Sequence, residues 1–397
     1  MSALPLDGIV VLDFGQIFQG PYCTYLLARA GARVIKIEPP GGEPLRRRAE
    51  PGKTQIFSFA MLNGCKEAIT LNLKSPEGKA LLLRMAERAD VVLENFSPGT
   101  LDGLGVGYDA LAAVNPALVY ATGSGFGISG PDRDNLAMDF TIQAASGIMS
   151  VTGAPDGPPM KAGPTLVDMM GGIHLYGAIM TALFHRTRTG RGQKVEVAMQ
   201  ETVYPALASP MEYRVRTGKV PPRAGNRQAA LNSAPYNAYR AADGWVAIHV
   251  VTEAHWRNLL AAMGQEALAE DPRFATNPAR VANMEAVDAL VTEWTSRLGR
   301  YEIFAITKRL RIPCAPVRDV AEVMEDPHMH ERGFLRRITH PEFGEVVLPM
   351  SSLRLHGAAE PEYRPSPAPG QDNAAVYCRW LGLEPAELDR LSAGGVI

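Results

Sequence analysis

The stretch Gly8-Ile9-Val10-Val11-Leu12-Asp13-Phe14, followed by a helical pattern at Pro21 to Ala30 and a second apolar run at Ala32 to Glu38, decides the fold class. Short apolar runs bounded by turn residues are the pattern of strands buried on both faces. A helix between two of them makes a βαβ unit, whose strands pair in parallel. The unit then repeats. Ala68 to Leu73 reads as a strand, Ser75 to Ala89 as a helix opened by Ser-Pro-Glu, and Asp90 to Glu94 as a strand. Ala117 to Thr122 is a further strand that runs into the glycine loop Gly123 to Gly130. The expected class is therefore α/β, with helices packed on a mostly parallel sheet.

Further along, helical patterns cover Met138 to Met149 and Val167 to His185, and a strand covers Gln193 to Val197. Another helix is predicted over Met199 to Val215. The Pro/Gly-rich connector Thr217 to Gly225 marks a domain boundary. Beyond it the style changes to a hairpin, Tyr236 to Arg240 and Trp245 to Val251, with helices near Ala254 to Met263, Asn283 to Leu298 and Tyr301 to Leu310. This is the pattern of a smaller α+β domain. The tail from Arg354 is Pro-rich and closes on a helix at Asn373 to Leu381.

Composition narrows the function classes. Forty Lys and Arg against 42 Asp and Glu leave a net charge of −2, with no strongly one-signed stretch, so neither nucleic acid nor a membrane surface is an expected partner. The apolar run Gly171 to Phe184 is interrupted by His174 and falls short of the ~20 residues a bilayer requires. Cys23, Cys65, Cys314 and Cys378 lie far apart, with no CxxC and no signal peptide before them, which points to a reduced, cytoplasmic setting.

Several motifs are weak on their own. The glycine loop holds GxGxG but leads into Pro131-Asp-Arg rather than a helix, and the first βα turn, Gly15 to Pro21, lacks GxGxxG, so a nicotinamide enzyme is disfavoured. His328 and His330 form an HxH with no third ligand in sight, and no metal site is expected. His174, six residues after Asp168 on an apolar helix, reads as a core histidine. GxSxG is absent, which removes the serine-hydrolase reading.

Two features carry more. Arg46-Arg47-Arg48 lies just beyond the second strand, where open α/β sheets collect ligands; it is either a solvated loop or a cradle for a phosphate-bearing ligand such as the nucleotide part of coenzyme A. Asp168 stands near a helix start and precedes Met169-Met-Gly-Gly172. It is either an N-cap or a covalent nucleophile, with the glycines permitting close substrate approach and free backbone amides holding an acyl oxyanion.

Taken together, Leu12-Asp-Phe, Gly20-Pro-Tyr-Cys, Gly31 to Gly42, Leu71 to Gly78, Glu94-Asn-Phe-Ser-Pro-Gly99, the Asp168 segment and Thr189 to Val197 resemble the class III (CaiB/BaiF-like) CoA-transferases along nearly the whole chain. The resemblance implies a doubly wound, Rossmann-like large domain over 1–215, a small α+β domain over 225–325 that shapes the acceptor pocket, a segment over 335–397 returning to the large domain, and an interlocked homodimer. It implies transfer of coenzyme A from an acyl-CoA donor to a free carboxylic acid, through covalent intermediates on Asp168, with no tightly bound cofactor. The family's coenzyme A contacts map onto Phe18, Gln19, Leu71, Asn72, Leu73, Lys74, Asn95, Phe96, Ser97, Ala137, Met138, Asp139 and Phe140, beside the candidates Arg46 and Arg47.

The match has gaps. Formyl-CoA transferase has a glutamine where this chain has Phe18, with Gln19 one position later, and two basic contacts there correspond to Gly103 and Ala137. Its glycine-rich substrate loop has no counterpart in Arg223 to Gln228, which implies an acceptor larger or more apolar than oxalate. Arg227 is a candidate for a second carboxylate, with a surface ion pair as the alternative, and the glycine loop is a candidate lid. Related α-methylacyl-CoA racemases carry a histidine base where this chain has Met138, leaving Asp139 as the substitute an isomerase would need. A non-catalytic acyl-CoA-binding protein is the third reading.

Overall fold

The structure is a computed structural model that describes residues 4–397. Six parallel strands form one sheet: β1 (Val10–Asp13), β2 (Arg33–Glu38), β3 (Glu67–Thr70), β4 (Val91–Glu94), β5 (Val119–Ser124) and β6 (Lys194–Ala198). Their order is β3-β2-β1-β4-β5-β6, so the winding reverses between β1 and β4. The period of two in each strand sorts its side chains onto two faces. Leu12, Ile35, Ile69, Val92 and Tyr120 meet Leu81, Leu82 and Met85 of helix Pro76–Ala86 on one face. Val11, Val34, Val91, Val119 and Ala121 meet Cys23 and Leu27 of helix Gln19–Arg29, and Leu175, Ile179 and Leu183 of helix Leu166–Thr189, on the other. The apolar runs are continuous because both faces are covered.

The chain divides into two compact units. Among the described residues the first comprises 4–146, 163–203 and 327–397 and holds the six-stranded sheet. The second comprises 147–162 and 204–326; its antiparallel sheet runs β7 (Tyr236–Ala241), β8 (Gly244–His249) and β9 (Cys314–Pro316), with a core built around Trp256, Leu259, Val287, Val291 and Ile303. The strand β9 and the hairpin β10 (Leu335–His340) and β11 (Gly344–Pro349) in the first unit lie outside the predicted elements. From 374 onward the chain returns to the sheet, where Val376, Tyr377, Leu391 and Val396 join the cluster beside Leu12 and Ile35.

Three predicted helices differ. Met138 to Met149 is interrupted: helix Asp139–Ala145 ends before Gly147, whose φ of 92° suits glycine and not a helix. Met199 to Val215 breaks around Pro205 into Met199–Val203, a 3₁₀ turn at Tyr204–Leu207 and helix Ala208–Thr217, because proline withdraws a helical N–H. The segment Ala374–Trp380 is π-helical, and a further helix, Pro385–Ala393, follows it. Helix Leu166–Thr189 is long and apolar enough to cross a membrane by length and composition, whereas the run read from sequence is shorter. Its inward face packs on the sheet, so burial accounts for that apolar face.

Beneath the C-terminal end of β1 lies a buried set of charges. Lys66 Nζ donates to Asp13 Oδ2 at 2.9 Å and to Thr24 Oγ1 at 2.7 Å, Thr24 Oγ1 donates to Asp13 Oδ2 at 2.7 Å, and Gly15 N–H donates to Asp13 Oδ1 at 2.8 Å. Burial pushes the Asp13 carboxyl up, but Lys66, Lys36 and Thr24 together hold it below the ordinary carboxylate range. Removing one partner of such a pair strands the other charge in a dry site. Asp13→Ala is therefore expected to lower the unfolding free energy by about 3–5 kcal/mol in a denaturant titration at pH 7. A loss below about 1 kcal/mol would mean that the site admits water.

Candidate active site

The loop after β1 is fixed residue by residue. Lys36 Nζ donates to the Gly15 carbonyl at 2.8 Å. Gln16 N–H donates to Asn95 Oδ1 at 2.7 Å, and Asn95 Nδ2 donates back to the Gln16 carbonyl at 3.0 Å. Ile17 N–H donates to Glu43 Oε2 at 3.1 Å, with Ile17 at a φ of 64°, a conformation β-branched residues rarely adopt. Gln19 then opens its helix with its side chain turned inward.

The loop forms one wall of a cavity of roughly 340 Å³ at the C-terminal ends of β1, β4 and β5, where the strand order reverses. Gln16, Ile17 and Gln19 come from the first βα turn, Asn95, Phe96, Ser97, Pro98 and Thr100 follow β4, and Gly123 to Gly125 end β5. Arg133, Asn135, Ala137, Met138, Asp168 and Met199 complete the wall. Of the sequence candidates, Gln19, Asn95, Phe96, Ser97, Ala137, Met138 and Asp168 are brought together here.

Asp168 is 8 % exposed and occupies the third position of helix Leu166–Thr189, so it is not the N-cap; Thr165 holds that place. Nor are the nearby amides free. Asp139 Oδ2 accepts Val167 N–H at 2.7 Å and Asp168 N–H at 3.2 Å, while Gln143 Nε2 donates to Asp139 Oδ1 at 2.6 Å. The N–H groups expected to hold an oxyanion are thus spent on a carboxylate from another helix. The Asp168 carboxylate accepts no hydrogen bond among the described residues. Burial and, secondarily, the Asp139 charge push its pKa up to about 7.

Other candidates are placed elsewhere. Arg46 is buried against Glu38, with Nε at 2.7 Å from its carboxylate, and lies 3.9 Å over the Phe59 ring, so it is no phosphate cradle. Arg47 is exposed and donates to the Gly42 carbonyl. Phe18 is half-buried at the helix start, outside the cavity wall. Leu71 belongs to the core, Leu73 packs on it, and Asn72 caps the turn at Lys74 and donates to the Gly395 carbonyl. Lys74 and Phe140 are exposed and lie outside the cavity. Arg227 pairs with Asp288 at 2.8 Å, the ion-pair alternative. His174 is exposed, its Nδ1 2.8 Å from the Met170 carbonyl, so it is not a core histidine.

The glycine loop is tied down: Gly127 N–H donates to Ser124 Oγ, Ile128 N–H to Glu196, and Gln200 N–H to the Gly125 carbonyl. Gly171 and Gly172 clear space for Gln19 rather than for substrate, since a Cβ at either would stand 2.8 Å from a Gln19 atom. Asp139, the substitute base an isomerase would need, is engaged as an acceptor. Sequence reasoning passed over Gln16, Thr100, Arg133 and Asn135; Gln16 and Thr100 lie in the loops that follow β1 and β4, whereas Arg133 and Asn135 lie further along the chain after β5 and carry no local signal. Among the described residues no group of three or more His, Cys, Asp or Glu is arranged to hold a metal ion.

The profile described as CoA-transferase family III matches residues 6–373. A succinyl-CoA–D-citramalate CoA-transferase of Chloroflexus aurantiacus is 36% identical over 398 aligned residues, covering 99% of this chain and 98% of the relative. A formyl-CoA:oxalate CoA-transferase of Streptomyces coelicolor is 37% identical over 100% of both chains. The crystal structure of a CaiB/BaiF family protein from Brucella suis superposes with a TM-score of 0.84 at 35% identity, covering 98% of this chain and 100% of that one.

The raised pKa of Asp168 sets two expectations. Its folded-state value of about 7 exceeds the ordinary 3.8, so the folded protein binds the proton more tightly. The stability contributed by protonated Asp168 is complete below pH ~3.8 and is lost as pH rises to about 7. Asp168→Asn, which carries no charge, is expected to raise the melting temperature by a few degrees at pH 8, and the gain is expected to shrink toward pH 4. Asp139→Asn keeps an acceptor for the two amides but removes the neighbouring charge. Any activity requiring ionised Asp168 is then expected to persist to lower pH, with the acid limb of its kcat/KM profile displaced downward; an unmoved limb would exclude the coupling.

Proposed function

The chain belongs to CoA-transferase family III and is a CoA-transferase; from that premise we propose that it moves coenzyme A from an acyl-CoA thioester to a free carboxylic acid through covalent intermediates on Asp168. The observation that carries this reading is the Asp168 carboxylate, unbonded, on the cavity wall where the sheet order reverses. A structural aspartate in a buried position is ordinarily hydrogen-bonded. One kept bare beside an opening is disposed to attack.

Ionised Asp168 adds to the donor thioester carbonyl and expels coenzyme A thiolate, leaving a mixed anhydride. The thiolate adds to the Asp168 carbonyl carbon, releases the donor's carboxylate and forms an aspartyl thioester. The acceptor carboxylate repeats both steps in reverse, so the thioester's energy is retained. A pKa of about 7 leaves a large ionised fraction at neutral pH without the deep stabilisation that would blunt nucleophilicity.

The cavity suits the thioester end of coenzyme A, with Asn95, Phe96, Ser97, Ala137 and Met138 as walls and Arg133 as the nearby cation. The segment Leu71 to Lys74, beyond the C-terminal end of β3 on the same sheet edge, is the proposed course of the nucleotide portion. The sheet unit serves as the coenzyme A-binding domain and the β7–β9 unit as the smaller one. Citramalate and oxalate, named in two relatives, are both dicarboxylic acids, and a dicarboxylic acceptor is part of the proposal. So are a homodimer, which would cover the exposed Ile173 and Phe184, and a cytoplasmic setting, in keeping with four unpaired cysteines.

The test is a panel of acyl-CoA donors, hydroxylamine trapping, proteolysis and mass spectrometry. A hydroxamate at Asp168 with at least one donor, absent in Asp168→Ala, is the expected result. Binding of donors with Asp168 unmodified across the panel, combined with deuterium uptake from solvent at the α-carbon, would instead favour isomerase chemistry.

A further inference from the structure

Gln19 is a polar side chain in a space cleared for it. It is 2 % exposed, and its Nε2 has no hydrogen-bond partner among the described residues. A Cβ at Gly123 would stand 2.7 Å from Gln19 Oε1, one at Gly171 2.8 Å from Nε2, and one at Gly172 2.8 Å from the Gln19 carbonyl oxygen. Two elements, the end of β5 and helix Leu166–Thr189, thus forgo side chains where Gln19 lies. Gly171 follows Asp168 by three residues and shares its helix face. Gln19 and Asp168 line the same cavity. Buried amide donors are rarely left without acceptors, and one left open in the cavity that also holds Asp168 suits an oxygen on which charge develops only during turnover.

The chemistry requires such a donor. When coenzyme A thiolate adds to Asp168 Cγ, the sulfur–carbon bond forms and the carbonyl π pair moves onto oxygen. That pair returns as the bond from Cγ to the acyl carboxylate breaks, and no proton is transferred. The adjacent amides of Val167 and Asp168 are held by Asp139 and are not available to that oxygen. We infer that Gln19 Nε2 donates a hydrogen bond to the oxygen on Asp168 Cγ in the two steps that pass through that carbon, and thereby acts as the oxyanion donor of the enzyme. This rests on the transfer reading given above.

Gln19→Met tests it, because methionine fills the same space without an N–H. With a donor that labels the parent protein, kcat is expected to fall about 10²–10³-fold, the range for loss of one oxyanion donor, while the donor's dissociation constant stays within about threefold. Intact-mass measurement should show the coenzyme A adduct accumulating on the parent and missing from the variant at the same time point. Gln19→Glu, of the same shape, is read alongside; it should be as slow, and it stands in for the methionine variant if that one melts early. Turnover within about threefold of the parent in either folded variant, or a loss confined to donor binding, would overturn the assignment. A parent protein that forms no adduct at Asp168 would overturn the transfer reading itself, and the two failures are thereby distinct.

Discussion

Three consecutive backbone N–H groups, those of Gly15, Gln16 and Ile17, are each bound by a side-chain oxygen from a different part of the sheet unit: Asp13, Asn95 and Glu43. A fourth contact, from Lys36 to the Gly15 carbonyl, closes the loop from below. These bonds hold Ile17 in a left-handed conformation that its side chain disfavours, and the turn they enforce brings the next helix in with Gln19 facing the cavity. The charged groups concerned, Asp13, Lys36 and Glu43, are buried. Glu43 shows the cost, since burial raises its pKa although Lys36 and the Ile17 amide pull it down. The cavity's shape therefore rests on buried electrostatics more than on apolar packing.

The same trade governs Asp168. A carboxylate in the first turn of a helix ordinarily gains from the open amides there. Here Asp139 has taken the amides of Val167 and Asp168, so Asp168 keeps only burial and a like-charged neighbour. One acid is satisfied by two amides, the other is left without a partner, and the difference is which of them faces the helix start.

Much of the architecture is legible in the chain because burial on both faces leaves uninterrupted apolar runs, as at Val10 to Asp13 and Val91 to Glu94. Asp168 is legible through the motif around it. Arg46 misleads because its partner, Glu38, sits at the end of β2, and the bidentate ion pair exists only once that strand and the following turn are folded. The capping role of Asp139 is invisible for a similar reason: its acceptor contacts span nearly thirty residues and two helices. Gln19 is legible as a candidate contact, but its burial is not, since nothing local distinguishes a glutamine facing water from one for which three distant glycines make room. The breaks at Gly147 and Pro205 follow local chemistry, which apolar spacing alone does not show.

The sheet unit is assembled from separated pieces of chain, and this bears on its birth at the ribosome. All six strands have been synthesised by Ala198, but Val376, Tyr377 and Leu391, which cover one of its faces, emerge roughly 180 residues later. At 5–20 residues per second that face waits on the order of ten to forty seconds for its cover. During that interval Leu12, Ile35 and Ile69 lack these neighbours. Such a nascent chain is a natural client for a holding chaperone, and a stall in translation between the two pieces would be more damaging than one after the second.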